Sequence, residues 1–218
     1  MRDVFESQLK TLKDDMIEMG SMIEKAIENA IRALNNRDTE LARAAIEADS
    51  EIDEQEKKIE SLCLKLLLHQ QPVASDLRMV SSALKMITDM ERIGDQTSDI
   101  ADIIIGAGMS EAREIPVIGK MAEATSKMVN DSVLAYVNKD LELARKVMLA
   151  DDEVDKLFDQ TKQKLVKLIA EDHGNQGEKA IDLIMITKYL ERIGDHATNI
   201  AEWVEFSITG VHKGMTTV

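Results

Sequence analysis

The sequence predicts an all-α fold of two tandem repeated three-helix bundles, and three features predict it. Only 2 Pro and 10 Gly occur in 218 residues and aromatics make up 3%, too few turn and strand formers for a sandwich or barrel. Apolar residues recur at steps of three and four over long stretches, the period of an amphipathic helix. The second half of the chain then repeats the first.

The first helix is marked by Phe5, Leu9, Leu12, Met16, Met19, Ile23, Ile27, Ala30 and Leu34. Asn35-Asn36-Arg37-Asp38 interrupts the pattern with turn and capping residues. A second helix resumes with Leu41, Ala45, Ala48, Ile52, Gln55, Ile59, Leu62 and Leu66, and Gln71-Pro72 ends it. The third is expected from Leu77 to about Ile105, with Ser75 or Asp76 as its cap. Its apolar stripe Met86, Met90, Ile93, Thr97, Ile100, Ile104 supplies the core.

Gly106-Ala107-Gly108-Met109-Ser110, ahead of Pro116, reads as the linker, which gives one bundle over 1–108 and a second over 114–210. Leu41-Ala42-Arg43 recurs as Leu143-Ala144-Arg145, and the Ala48–Asp53 stretch recurs as Ala150–Asp155. Further on, Glu91-Arg92-Ile93-Gly94-Asp95 recurs unchanged as Glu191-Arg192-Ile193-Gly194-Asp195. The offset falls from 102 to 100 between these stretches, where the helix-to-helix turn tolerates a deletion.

With 27 basic and 41 acidic residues the net charge is −14, which argues against a nucleic-acid partner and against direct adhesion to an anionic membrane. Any membrane association is therefore expected through a protein partner. The opening Met1-Arg2-Asp3-Val4-Phe5-Glu6 has no apolar signal stretch, and the single Cys63 forms no internal disulfide, so a cytoplasmic location is expected. Cys63 lies in an apolar helical stretch and reads as a packing residue.

On the third helix a stripe that begins with Leu77, Val80, Leu84 and Ile87 continues as Glu91, Asp95 and Asp102, with Asp99 at its edge. On the second helix Asp49 and Asp53 stand one turn apart, an arrangement that costs about 0.2–0.5 kcal/mol per like-charged pair. If the hairpin turns at Pro72, Asp53 lies level with Glu91 and Asp49 with Asp95. A turn at residue 173, beside Gly174, levels Asp155 with Glu191 and Asp151 with Asp195 in the same way.

Carboxylates gathered like this repel unless a cation or protons neutralise them. Oxygen donors favour Mg²⁺, Mn²⁺, Ca²⁺ or iron, and carboxylates bridge ions, so a polynuclear site suits them. His196 offers an additional nitrogen ligand in the second half only. A solvated acidic face on an acid-rich chain accounts for the same spacing and stays open. Gly94 and Gly194 read either as close backbone approach to a metal cluster or as tight helix packing. Arg92 and Arg192 are expected to pair with neighbouring acids. The Glu-x-x-His of di-iron bundles, a phosphate-binding Walker loop and a nucleophile elbow are all absent.

The duplicated Glu-Arg-Ile-Gly-Asp, the duplicated acidic motif on the second helix, and Gln70-Gln71-Pro72-Val73-Ala74-Ser75-Asp76-Leu77-Arg78 resemble the PhoU family of phosphate-uptake regulators. Phe5-Glu6-Ser7-Gln8-Leu9 and Met19-Gly20 fit as well. The resemblance implies multinuclear metal clusters, one per repeat, of iron, Mn, Mg or Zn. The first is expected on Asp49, Asp53, Glu91 and Asp95, with Asp99 continuing the set. The second is expected on Asp151, Asp155, Glu191 and Asp195, with Asn199 as the uncharged counterpart of Asp99. It also implies a homodimer that connects a phosphate ABC transporter ATPase to a phosphate sensor histidine kinase and keeps the phosphate-starvation response off, with no enzymatic step. A metal-dependent phosphate-ester hydrolase and a metal-free structural helical adaptor are the alternatives.

Overall fold

Six helices account for the computed structural model, which describes residues 2–69, 73–107, 116–171 and 173–212. They are α1 (Arg2–Asn36), α2 (Thr39–His69), α3 (Ala74–Gly106), α4 (Pro116–Asn138), α5 (Leu141–Glu171) and α6 (Gly177–Thr209). No strand occurs among the described residues. Pro72 and the expected boundary at 108–114 lie outside them.

The turns repeat as the sequence does. Arg37 and its counterpart Lys139 both take the left-handed conformation, at φ 60° and 55°, a strained choice for non-glycine residues. Each is followed by an aspartate that caps the next helix. Asp38 Oδ1 accepts from the backbone N–H of Glu40 at 3.0 Å and of Leu41 at 3.2 Å, and Asp140 Oδ1 from that of Leu143 at 2.9 Å. The turn before α6 contains His173 (φ 53°) and Gly174 (φ 84°), where the sequence puts it.

The start of α3 differs from expectation. Ser75 and Asp76 lie inside the helix, and Val73 is the cap with no side-chain hydrogen bond. The extended Val73 carbonyl already takes the first helical bond, from the Leu77 N–H at 2.9 Å, so the helix begins at Ala74. Leu77, at the start of its stripe, is 47% exposed, whereas Val80 and Ile87 further along the same stripe are buried.

The expected core stripes are buried: Leu12, Met16, Met19 and Ile23 on α1, Ile52, Ile59 and Leu66 on α2, and Met86, Met90, Ile93 and Ile100 on α3. Each such side chain contributes about 1.5–3 kcal/mol by leaving water. Cys63 is buried among them, and burial pushes its thiol up to about 12, which leaves it an inert packing residue.

Between repeats, α3 packs on α6 and α1 on α4, while α2 and α5 flank their own bundles. The Tyr136 hydroxyl donates to the Met79 carbonyl at 2.9 Å, and Lys13 Nζ to the Val137 carbonyl at 2.8 Å. Along the α3–α6 contact Asp89 meets His196 and Asn199, and Asp99 meets Tyr189. The two helices therefore run antiparallel, with Gly94 level with Gly194.

Candidate metal centre

The sites begin at two glycines. A Cβ on Gly94 would lie 3.2 Å from Ile52 Cδ1 and Cγ2 and 3.3 Å from Asp49 Oδ1. On Gly194 it would lie 3.3 Å from Val154 Cγ1 and 3.4 Å from Asp151 Oδ1. Both glycines thus seat an aliphatic side chain and a carboxylate of the neighbouring helix. Tight helix packing is their direct role, and it is this packing that brings the two rows of acids together.

The expected sets are brought together as the hairpin register requires. Burial raises the Asp49 carboxyl above its ordinary range, and the charges of Asp95, Asp53 and Asp99 add to the shift. Glu91 is raised by burial and by Asp95, Glu56 and Asp53, partly offset by Arg92. In the second repeat burial, followed by Asp195, Asp155 and Glu191, pushes Asp151 up to about 6. Asp195 is raised by burial, Glu191 and Asp155, with Lys188 and His196 pulling the other way. These are mutually repelling carboxylates in partly desolvated surroundings.

The acids lie on the sides of α3 and α6 opposite the buried stripes through Met86, Ile93 and Ile100 and through Ile186, Ile193 and Ile200. Arg92 pairs as expected, with Asp95 at 3.0 Å and Glu91 at 3.4 Å. His196 and Asn199 are turned elsewhere: Nδ1 of His196 lies 2.8 Å from Asp89 Oδ1, and the Asn199 amide donates to the same oxygen at 3.1 Å. Glu56 belongs electrostatically to the first set, although the sequence reading passed over it. Its signal was available, since Asp49, Asp53, Glu56 and Glu60 continue one acidic helical face.

As the side chains stand, no three metal-ligating groups among the described residues close on a single point. The residues nevertheless fit a hard cation. The donors are all oxygens, and Asp49 Oδ1 is buried against Gly94 with no hydrogen-bond partner, a costly state that an ion would relieve.

The PhoU domain family matches residues 16–104 and 118–204, one copy per repeat and spanning all ten expected site positions. The chain belongs to the PhoU family. It is 37% identical over 211 residues to a phosphate-specific transport system accessory protein PhoU homolog of Clostridium acetobutylicum, covering 96% of each. The crystal structure of PhoU from Pseudomonas aeruginosa superposes with a TM-score of 0.87 at 32% identity, covering 95% of this chain and all of that one. That of the regulatory protein PhoU from Streptococcus pneumoniae, at 24% identity and a TM-score of 0.85, has the same fold. The PhoU repeat thus coincides with the three-helix unit, and each copy carries one acidic hairpin. Among the described residues no helix of this PhoU-family chain is long and apolar enough to cross a membrane.

Proposed function

We propose that this chain is an accessory protein of phosphate-specific transport that restrains phosphate uptake and the phosphate-starvation response by binding other proteins. The observation that carries this reading is the similarity of both repeats, over almost the whole chain, to accessory proteins of that system. Its partners are the ATPase of a phosphate ABC transporter and a phosphate sensor histidine kinase. It works in the cytoplasm as a homodimer, reaches the membrane only through those partners, and performs no chemical step of its own.

Each acidic hairpin holds a multinuclear metal cluster in this reading. Asp49, Asp53, Glu91, Asp95 and Asp99 would hold the first, and Asp151, Asp155, Glu191 and Asp195, with Asn199 beside them, the second. A bound cluster supplies positive charge that cross-links neighbouring helices. The chain's own part is to aim the carboxylates, through the Gly94 and Gly194 contacts, and to keep one Asp49 oxygen out of water. Exposed apolar side chains offer docking points at the ends of the hairpins: Leu64, Leu68 and Leu77 on one, Val166, Ile181 and Met185 on the other.

The test is genetic. A strain lacking the gene should express phosphate-starvation genes in rich phosphate, and restoring the protein should silence them. Normal repression in the deletion strain would defeat the reading. Since the chain carries a net charge of −14, its complex with the ATPase or kinase should also weaken as salt rises.

A further inference from the structure

The two acidic hairpins share a backbone but differ in the charges around it. Where the first repeat has Glu56, Glu60, Thr88 and Asp99, the second has Phe158, Lys162, Lys188 and Asn199. Every one of these exchanges makes the second site less negative. Lys57 to Asp159 and Ser50 to Asp152 run the other way, but Asp159 is paired with Lys162 at 2.7 Å, and Asp152 acts on Asp151 less than Asp195, Asp155 or Glu191 does. Arg92 also brings a positive charge to the first set, on Asp95 at 3.0 Å and Glu91 at 3.4 Å, while its counterpart Arg192 pairs with neither Glu191 nor Asp195. The Arg92 guanidinium is 56% exposed, and the first set outweighs it with the extra carboxylates Glu56 and Asp99.

Lys188 is placed to matter. Its ammonium pairs with Glu191, one of the expected ligands, and only 15% of that glutamate side chain is exposed. It also lies 5.5 Å from the centroid of the Phe158 ring, which Lys162 approaches to 5.2 Å from its own position on α5. A cation–π contact of this kind holds a lysine over a ring face. The first repeat has no such ring: Glu56 occupies the equivalent position, half-buried and close to Asp53 and Glu91.

We propose that the Lys188 ammonium, held by Glu191 and Phe158, is a built-in counter-cation of the second carboxylate set, so that metal loads the first repeat ahead of the second. This rests on the metal-binding reading above. A metal entering the second site must displace the ammonium from Glu191 and share the site with its charge, whereas in the first site Glu56 adds a further carboxylate. The two sites of one chain therefore fill at different free metal concentrations, and the half-loaded protein is a distinct state.

The experiment titrates chelator-stripped full-length protein with Mn²⁺ and reads free Mn²⁺ by electron paramagnetic resonance. Asp49→Asn with Asp53→Asn removes the first site, and Asp151→Asn with Asp155→Asn removes the second, so each is measured alone. Wild type should show two classes of site, the tighter lost with the first pair of substitutions. Lys188→Thr should tighten the second repeat by about tenfold, the effect of one nearby charge across a partly hydrated gap. The reciprocal Thr88→Lys should weaken the first repeat by a similar factor, which keeps the test alive if Lys188→Thr fails to fold. Two repeats of equal affinity, or lysine exchanges without effect in correctly folded protein, would overturn the proposal and leave metal binding standing. No Mn²⁺ bound by either repeat of wild type would overturn the metal reading itself.

Discussion

The first and second repeats are alike in the features that set their backbones and unlike in the features that set their charge. Arg37 and Lys139 make the same left-handed turn, Asp38 and Asp140 the same cap, and Gly94 and Gly194 the same close approach. Around that shared frame the first repeat is ringed by Glu56, Glu60 and Asp99, and the second by Phe158, Lys162 and Lys188. Backbone geometry here depends on a few turn and contact residues. The electrostatics of each site is adjusted by side chains at the margin of that frame, Phe158 among them packed against the core.

That comparison is broken most forcefully at the aliphatic side chains that seat the glycines. Ile52→Ala should destabilise the protein by about 3 kcal/mol and Val154→Ala by about 2, since both are fully buried and the isoleucine leaves the larger cavity. Urea denaturation of the chelated protein reads both, and equal losses would show that the two seats are not packed as described.

Metal should come next. An ion present at about a hundred times its dissociation constant stabilises the native state by about 2.7 kcal/mol, so chelation should lower the melting temperature at pH 7. Identical melting curves with and without chelator would remove the clusters from the account.

Smaller effects sharpen the glycine contacts. Gly94→Ala gains up to about 1 kcal/mol of helix propensity but forces Ile52 and Asp49 aside, whereas the same gain at Gly194 meets looser contacts. Gly94→Ala should therefore be the less stable variant by about 1 kcal/mol in the same urea assay.

The smallest effect is electrostatic. Asp151, raised to about 6, holds its proton more tightly in the folded than in the unfolded chain. Its contribution to stability is consequently most favourable below the ordinary carboxylate range near pH 4, and is lost as pH climbs through about 6. Asp151→Asn should stabilise chelated protein at pH 7 by on the order of 1 kcal/mol after solvent screening, and by nothing at pH 4. Thermal melts across that range decide it, and a benefit that grows toward acid would contradict the assigned cause.

Much of this was legible in the sequence because it is local or repeated. The spacing from Phe5 to Leu34 marks a helix on its own, and the level pairing of Asp53 with Glu91 follows from a short turn joining two straight helices. What the sequence hid depends on neighbours from elsewhere in the chain. Leu77 continues an apolar stripe, yet no helix covers it. Val73 caps α3 with its backbone, so the attractive Ser75 and Asp76 are left inside the helix. His196 and Asn199 look like members of the second acidic set until α3 is laid against α6, and then Asp89 engages both.

That last contact bears on how the two halves recognise each other. The α3–α6 junction is nearly two-fold, so a lone copy of either repeat has the backbone geometry to pair with itself as the halves now pair. Two first repeats would set Asp89 against Asp99, carboxylate against carboxylate. Two second repeats would set Tyr189 against Asn199 and lose both charged partners. Only the mixed pairing gives Asp89 its imidazole and amide and Asp99 its phenol. A first repeat set against that of a sister chain would therefore meet its own charge, which the matching half on the same polypeptide replaces with an imidazole, an amide and a phenol.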